Sequence, residues 1–120
     1  MFSFPPSVRI VLAAGPTDLR KSFDGLAAAA RLVLRDDPLS GDLFVFCNRR
    51  RNRLKILVFD GTGPWVLAKR LERGTFAWPE AAEGTQRVEI GGEDLGLILA
   101  GIDVEETARR RWYRRRKRSA

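Results

Sequence analysis

Three features of this 120-residue chain predict a single α+β domain. Two dense apolar runs, Leu43-Phe44-Val45-Phe46-Cys47 and Leu54-Lys55-Ile56-Leu57-Val58-Phe59, flank the basic connector Asn48-Arg49-Arg50-Arg51-Asn52-Arg53, which describes a hairpin with a cationic tip. A third run, Trp65-Val66-Leu67-Ala68, follows the turn residues Asp60-Gly61-Thr62-Gly63-Pro64 and extends the hairpin into a mainly antiparallel β-meander. Residues 22–35 repeat apolar side chains at helical spacing, and a shorter helical pattern lies near the C-terminus. The expected fold is therefore a meander with the first helix packed on one face and a short C-terminal helix.

Taken in order, residues 8–14 are β-branched and apolar and stop at Gly15-Pro16, as a short strand before a turn would. Thr17 or Asp18 can cap the helix that follows, in which Phe23, Leu26, Ala27, Ala30 and Leu34 share a face, with Val33 beside them. Gly25 costs this helix about 1 kcal/mol relative to alanine, which a close approach by a neighbouring strand would explain. Asp36-Asp37-Pro38-Leu39-Ser40-Gly41-Asp42 is a loop, because Pro38 lacks a donor and disfavours helix at Asp37. Residues 43–47 are apolar on both faces, as a strand covered from both sides requires, and residues 54–59 depart from this only at Lys55.

In residues 65–71 an apolar start gives way to charge, so the second half is expected to leave the core. Trp65, Phe76 and Trp78 are expected as core aromatics, with Pro79 ending any strand there. Arg87-Val88-Glu89-Ile90 alternates like a half-exposed strand. Gly91-Gly92 then opens the last helix: Leu95, Ile98, Leu99 and Ile102 recur at helical spacing, Glu93 and Asp94 suit its positive end, and Gly101 marks its stop.

Composition narrows the chemistry. Histidine is absent and Cys47 is the lone cysteine, so zinc sites built from these residues and an internal disulfide are excluded. Cys47 ends an apolar run and is expected as a small buried hydrophobe. No apolar run approaches the roughly 20 residues of a membrane span, and Met1-Phe2-Ser3-Phe4-Pro5-Pro6 carries no basic leader, so a cytoplasmic location is expected. The formal charge of +7 is unevenly distributed: Arg109, Arg110, Arg111, Arg114, Arg115, Arg116, Lys117 and Arg118 supply 8 of the 22 basic residues, leaving 14 against 15 acidic ones. One domain over residues 1–103 and a basic tail over 104–120, disordered when free, are expected.

Acid–base catalysis would have to use carboxylates, lysine or tyrosine, and no catalytic spacing occurs. Asp18, Asp24, Asp60 and Glu72 would have to be gathered by the fold to hold Mg²⁺; capping, turn formation and ion pairing account for them better. Gly61-Thr62-Gly63 is too short to cradle phosphate. No enzyme activity, catalytic residue, metal site or cofactor is expected. The basic residues say more. Arg49, Arg50, Arg51 and Arg53 cluster at the hairpin tip, Lys55 continues onto the next strand, and Lys69, Arg70 and Arg73 follow one strand later. A solvated turn and a phosphate-binding surface both fit this local pattern, since arginine forks match phosphate oxygens. The tail encloses Trp112 and Tyr113, whose rings could stack on bases while its arginines neutralise phosphates. No helix-turn-helix pattern suited to a major groove is present.

Thr17-Asp18-Leu19-Arg20-Lys21-Ser22-Phe23-Asp24-Gly25-Leu26, Asp37-Pro38-Leu39-Ser40-Gly41, Leu43-Phe44-Val45-Phe46, Asn48-Arg49-Arg50-Arg51, Lys69-Arg70-Leu71-Glu72-Arg73-Gly74, Phe76, Trp78-Pro79 and Gly101-Ile102-Asp103 resemble the TnpB accessory protein of the insertion sequence 66 family of transposable elements. That resemblance implies a part in DNA transposition beside a separate transposase, which carries the acidic catalytic triad, and beside another small accessory protein. It carries over no catalytic residue, and it places both basic motifs among the family's features. The expected function is a non-enzymatic accessory protein that binds DNA backbone within a transposase complex. The alternative is an interaction module docking on the transposase or the other accessory protein without DNA contact.

Overall fold

The computed structural model describes residues 7–101. The elements are β1 (Ile10–Ala13), α1 (Phe23–Leu32), β2 (Leu43–Cys47), β3 (Arg53–Phe59), β4 (Pro64–Arg70), β5 (Arg87–Ile90) and α2 (Gly92–Ala100). They form one sheet in the order β4-β3-β2-β1-β5. β2, β3 and β4 make the predicted antiparallel meander. β1 adds to it in parallel, Val11 opposite Phe44, and β5 closes the far edge antiparallel to β1. The parallel pair, absent from the sequence reading, arises because α1 returns the chain over one face, as a crossover between parallel strands requires.

Strand alternation sorts the apolar residues into two layers. On one face Leu26, Ala30 and Leu34 of the α1 region bury Val11, Ala13, Phe44, Phe46 and Leu57. On the other, Leu12, Leu43, Val45, Cys47, Leu54, Ile56 and Val58 pack under Phe76 and under Leu95 and Ile98 of α2. β2 is buried at all five positions, so the expectation of a doubly covered strand holds. Cys47 is buried, as expected.

Several expectations need correction. α1 ends at Leu32, short of the predicted 35, because Arg35 adopts a left-handed backbone (φ 57°) that stops the helical ladder. Phe23 and Val33 lie at its margins, 46% and 42% exposed. Gly25 faces no strand: a Cβ there would come within 2.9 Å of the Lys21 side chain, so it accommodates the preceding turn instead. Neither Thr17 nor Asp18 caps α1; Ser22 holds the N-cap position without a side-chain bond. The charged half of β4 leaves the core, as expected, although it stays paired to β3 as far as Arg70. Trp65 is 48% exposed on this edge strand and is no core residue. Phe76 is buried, and Trp78 packs at the core margin with its indole N–H donated to the Ala13 carbonyl at 2.9 Å.

Two polar devices fix the frame. Asp42 accepts the Arg9 backbone N–H (2.9 Å) and its guanidinium (2.9 and 3.1 Å), joining the starts of β1 and β2, and Asp36 bridges Arg9 (2.8 Å) and Arg87 (2.7 Å). Burial alone would raise the Asp42 carboxyl, but the Arg9 N–H, its guanidinium and the Ser40 hydroxyl hold it below its ordinary value. In the β3–β4 turn, Asp60 accepts the Trp65 indole N–H at 2.7 Å and the Thr62 and Gly63 N–H groups, the expected aspartate turn with an aromatic strut added.

The Trp65 indole and the turn amides hold the Asp60 carboxyl well below the usual range. Such a group stabilises the fold above its unfolded pKa of about 4 and loses that contribution as pH falls through the lower folded value. Urea midpoints measured from pH 5 to pH 2 are expected to fall less steeply in Asp60→Asn than in the wild type. Equal slopes would contradict the assignment.

Candidate nucleic-acid interface

The β2–β3 tip is built by asparagine side chains. Asn48 Oδ1 accepts the backbone N–H groups of Asn52 (3.0 Å) and Arg53 (3.1 Å), and Asn48 Nδ2 donates to Asn52 Oδ1 at 2.7 Å. This closes a tight loop in which Arg51 takes a left-handed backbone (φ 58°) and Arg49 and Arg50 project into solvent. The left-handed turn sends Arg51 inward. Its Nη2 donates to the Ala14 carbonyl at 3.2 Å, its guanidinium lies 5.2 Å from the centre of the Trp78 ring, and its own carbonyl accepts the Phe76 N–H at 2.7 Å. Arg51 also adjoins Cys47: burial pushes that thiol up, and the guanidinium offsets part of the rise. Arg51 therefore ties the tip to β1 and to the 76–78 segment, and it is half-buried rather than exposed like Arg49 and Arg50.

Cross-strand register decides where the remaining basic residues point. Arg53 sits directly opposite Arg70 and Lys55 opposite Ala68, on the face that carries α1. Lys55 is half-buried, with Nζ donating to the Lys21 carbonyl at 2.9 Å, which anchors the segment entering α1. Lys69, one residue from Arg70, is on the α2 face instead. Its Nζ donates to the Leu99 carbonyl at 2.6 Å, where a cation suits the C-terminal end of α2. Gly101 ends that helix with φ 76°, and a Cβ there would meet the Leu71 side chain at 2.9 Å.

The predicted set thus divides. Arg51 and Lys69 are engaged by the fold, Lys69 while still exposed, whereas Arg49, Arg50, Arg53, Arg70 and Arg73 are exposed, with Lys55 at the base of the Arg53–Arg70 pair. Arg70 touches Glu72 at 3.4 Å, an exposed pair of little strength, and among the described residues Arg49, Arg50, Arg53 and Arg73 enter no ion pair. The eight basic residues of the tail lie outside the described residues. Sequence reasoning missed Arg9 and Arg87, whose acidic partners come from loops remote in sequence.

The acidic residues do not assemble. Asp18 binds Arg20 at 2.7 Å, and that guanidinium holds its carboxyl down at about 2. Asp24 is in the first turn of α1, and Asp60 is engaged in its turn. Among the described residues, no group of three Asp, Glu, Cys or His side chains is placed to hold a metal.

A model of the family described as "IS66 Orf2 like protein" matches residues 8–109. The chain belongs to the IS66 Orf2-like family. Membership associates it with the transposition machinery of that insertion sequence. Two relatives of this IS66 Orf2-like chain come from Sinorhizobium fredii (strain NBRC 101917 / NGR234). "Uncharacterized protein y4hO" is 42% identical over 97 residues, covering 81% of this chain and 83% of the relative. "Uncharacterized protein y4jC" is 35% identical over 103 residues, covering 86% of each. No solved structure matches. Among the described residues no helix is long and apolar enough to cross a membrane.

Proposed function

We propose that this IS66 Orf2-like protein is a non-enzymatic accessory factor of transposition that holds DNA by its phosphates, in the cytoplasm, together with the transposase and a second small accessory protein. What supports this above all is the Arg53–Arg70 juxtaposition. Like charges directly opposite each other on a sheet are destabilising, and among the described residues only the exposed Glu72, 3.4 Å from Arg70, offsets them. A phosphate placed between the two forks removes the repulsion and accepts paired hydrogen bonds from each. Arg49 and Arg50 at the tip and Arg73 beyond β4 extend the surface, and the tail arginines add an electrostatic anchor.

Neutralisation of about 6 phosphates gives a log–log salt slope near -5. Anisotropy titrations of the full chain with duplex DNA at several salt concentrations are expected to show that slope with little sequence preference. Absence of affinity at low salt, or affinity indifferent to salt, would overturn the reading in favour of docking on protein alone. In that case alanines at Arg49 and Arg50 would abolish co-purification with the transposase instead.

A further inference from the structure

Among the described residues β4 is the longer of the two sheet edges, and the way its backbone is turned suggests what covers it. The Leu71 N–H is donated to the Asn52 carbonyl at 2.9 Å, in register with Arg53 opposite Arg70. Alternation along an antiparallel ladder then directs the N–H and C=O groups of Leu67 and Lys69 toward β3. Those of Val66, Ala68 and Arg70 point away from the sheet. No described strand lies beyond β4 in the sheet order.

We propose that β4 is a dimerisation edge on which a second copy of this chain pairs antiparallel about a two-fold axis through Leu67. In that register Val66 faces Ala68 of the second copy and exchanges both backbone hydrogen bonds with it. The Arg70 N–H finds the carbonyl at position 64 of the second copy, where proline has no donor to offer. Leu67 meets its own equivalent as a non-hydrogen-bonded pair, with side chains in close approach. Trp65 comes opposite Lys69, aromatic face to cation. Shifting the axis to Ala68 would instead set Leu67 against Lys69 and Val66 against Arg70, so side-chain matching selects the Leu67 axis.

Two further observations favour a second copy as the partner. β4 carries Lys69 and Arg70 and no acidic residue, and the two-fold sets Lys69 against Trp65 and Arg70 against Pro64, so neither cation meets its own equivalent. An apolar groove of about 860 Å³ on the α2 face is lined by Ile56, Leu95 and Leu99 and reaches the edge at Leu67 and Ala68. Pairing through β4 about this axis sets the two grooves side by side on the same face of the joined sheet. The interface is isologous and closes on itself.

Sedimentation of the full chain at about 100 µM is expected to give twice the 13.5 kDa mass of one chain. A single-chain mass at that concentration would overturn the proposal and leave the edge to a different protein. Ala68→Pro removes an outward N–H without touching the β3 ladder, and is expected to yield folded monomers whose thermal unfolding no longer depends on protein concentration. A dimeric Ala68→Pro protein would also overturn it. Should that variant fail to fold, Leu67→Cys decides: mild oxidation is expected to give a disulfide-linked dimer, while Ala68→Cys, offset from its equivalent, gives none. Equal or absent cross-linking at the two positions contradicts the register.

Discussion

Arg51→Ala is expected to lower the stability of the protein by about 2–4 kcal/mol while leaving the DNA affinity of the folded protein within about twofold of wild type. The loss combines a charged hydrogen bond to the Ala14 carbonyl and the stack on Trp78, both at a half-buried site that water only partly refills. It should appear as a lower urea midpoint with unchanged slope. Glycine separates the causes. Arg51 sits at φ 58°, a backbone conformation that costs a non-glycine residue about 1 kcal/mol or more. Arg51→Gly removes the same contacts and relieves that cost, so it should be more stable than Arg51→Ala by about 1 kcal/mol. If Arg51→Ala instead unfolds like wild type and binds DNA several-fold more weakly, the side chain belongs to the binding surface after all.

The second large effect belongs to Asp42. Asp42→Ala is expected to cost about 2–3 kcal/mol, because the carboxylate is the acceptor that joins the first residues of β1 and β2. Removing it leaves the Arg9 backbone N–H without its acceptor beside the parallel pair that begins with Ile10 opposite Leu43. The guanidinium keeps Asp36 and Glu89 and is half-exposed, which holds the loss below that for a fully buried pair. Asp42→Asn keeps the acceptor oxygen but not the charge and should cost about half as much. Chemical denaturation of the two variants checks the order; equal stabilities of Asp42→Asn and Asp42→Ala would show that charge alone matters.

The parts of the fold legible in sequence are those set by local chemistry. The meander follows from two apolar runs, a polar connector and the Asp60-Gly61-Thr62-Gly63-Pro64 turn, and α2 from its glycine borders. The parallel β1–β2 pair was not legible, since nothing within residues 8–14 specifies which strand they join. At the interface, composition located the basic residues but not their directions. Lys69 and Arg70 are neighbours, and a period of two sends them to opposite faces. A signal for this existed: Lys69 keeps step with Leu67, which lines the α2 face, whereas Arg70 keeps step with Val66 on the α1 face. Arg51 offered no such cue, because its inward course depends on the left-handed backbone that the Asn48 bonds impose. Trp65 misled because an aromatic in an apolar run usually means core; here the run is an edge and Asp60 holds the ring at the surface.

The central claim is that the folded body, and not the tail alone, holds DNA through the tip and the Arg53–Arg70 pair. Salt-titrated duplex binding of the full chain, wild type against Arg49→Gln/Arg50→Gln/Arg53→Gln/Arg70→Gln, tests it most directly. With the tail unchanged in both, losing three phosphate contacts, one of them shared by Arg53 and Arg70, is expected to reduce the magnitude of the log–log slope by about 3. Superimposable salt dependences would contradict the claim and assign all DNA contact to residues outside this surface.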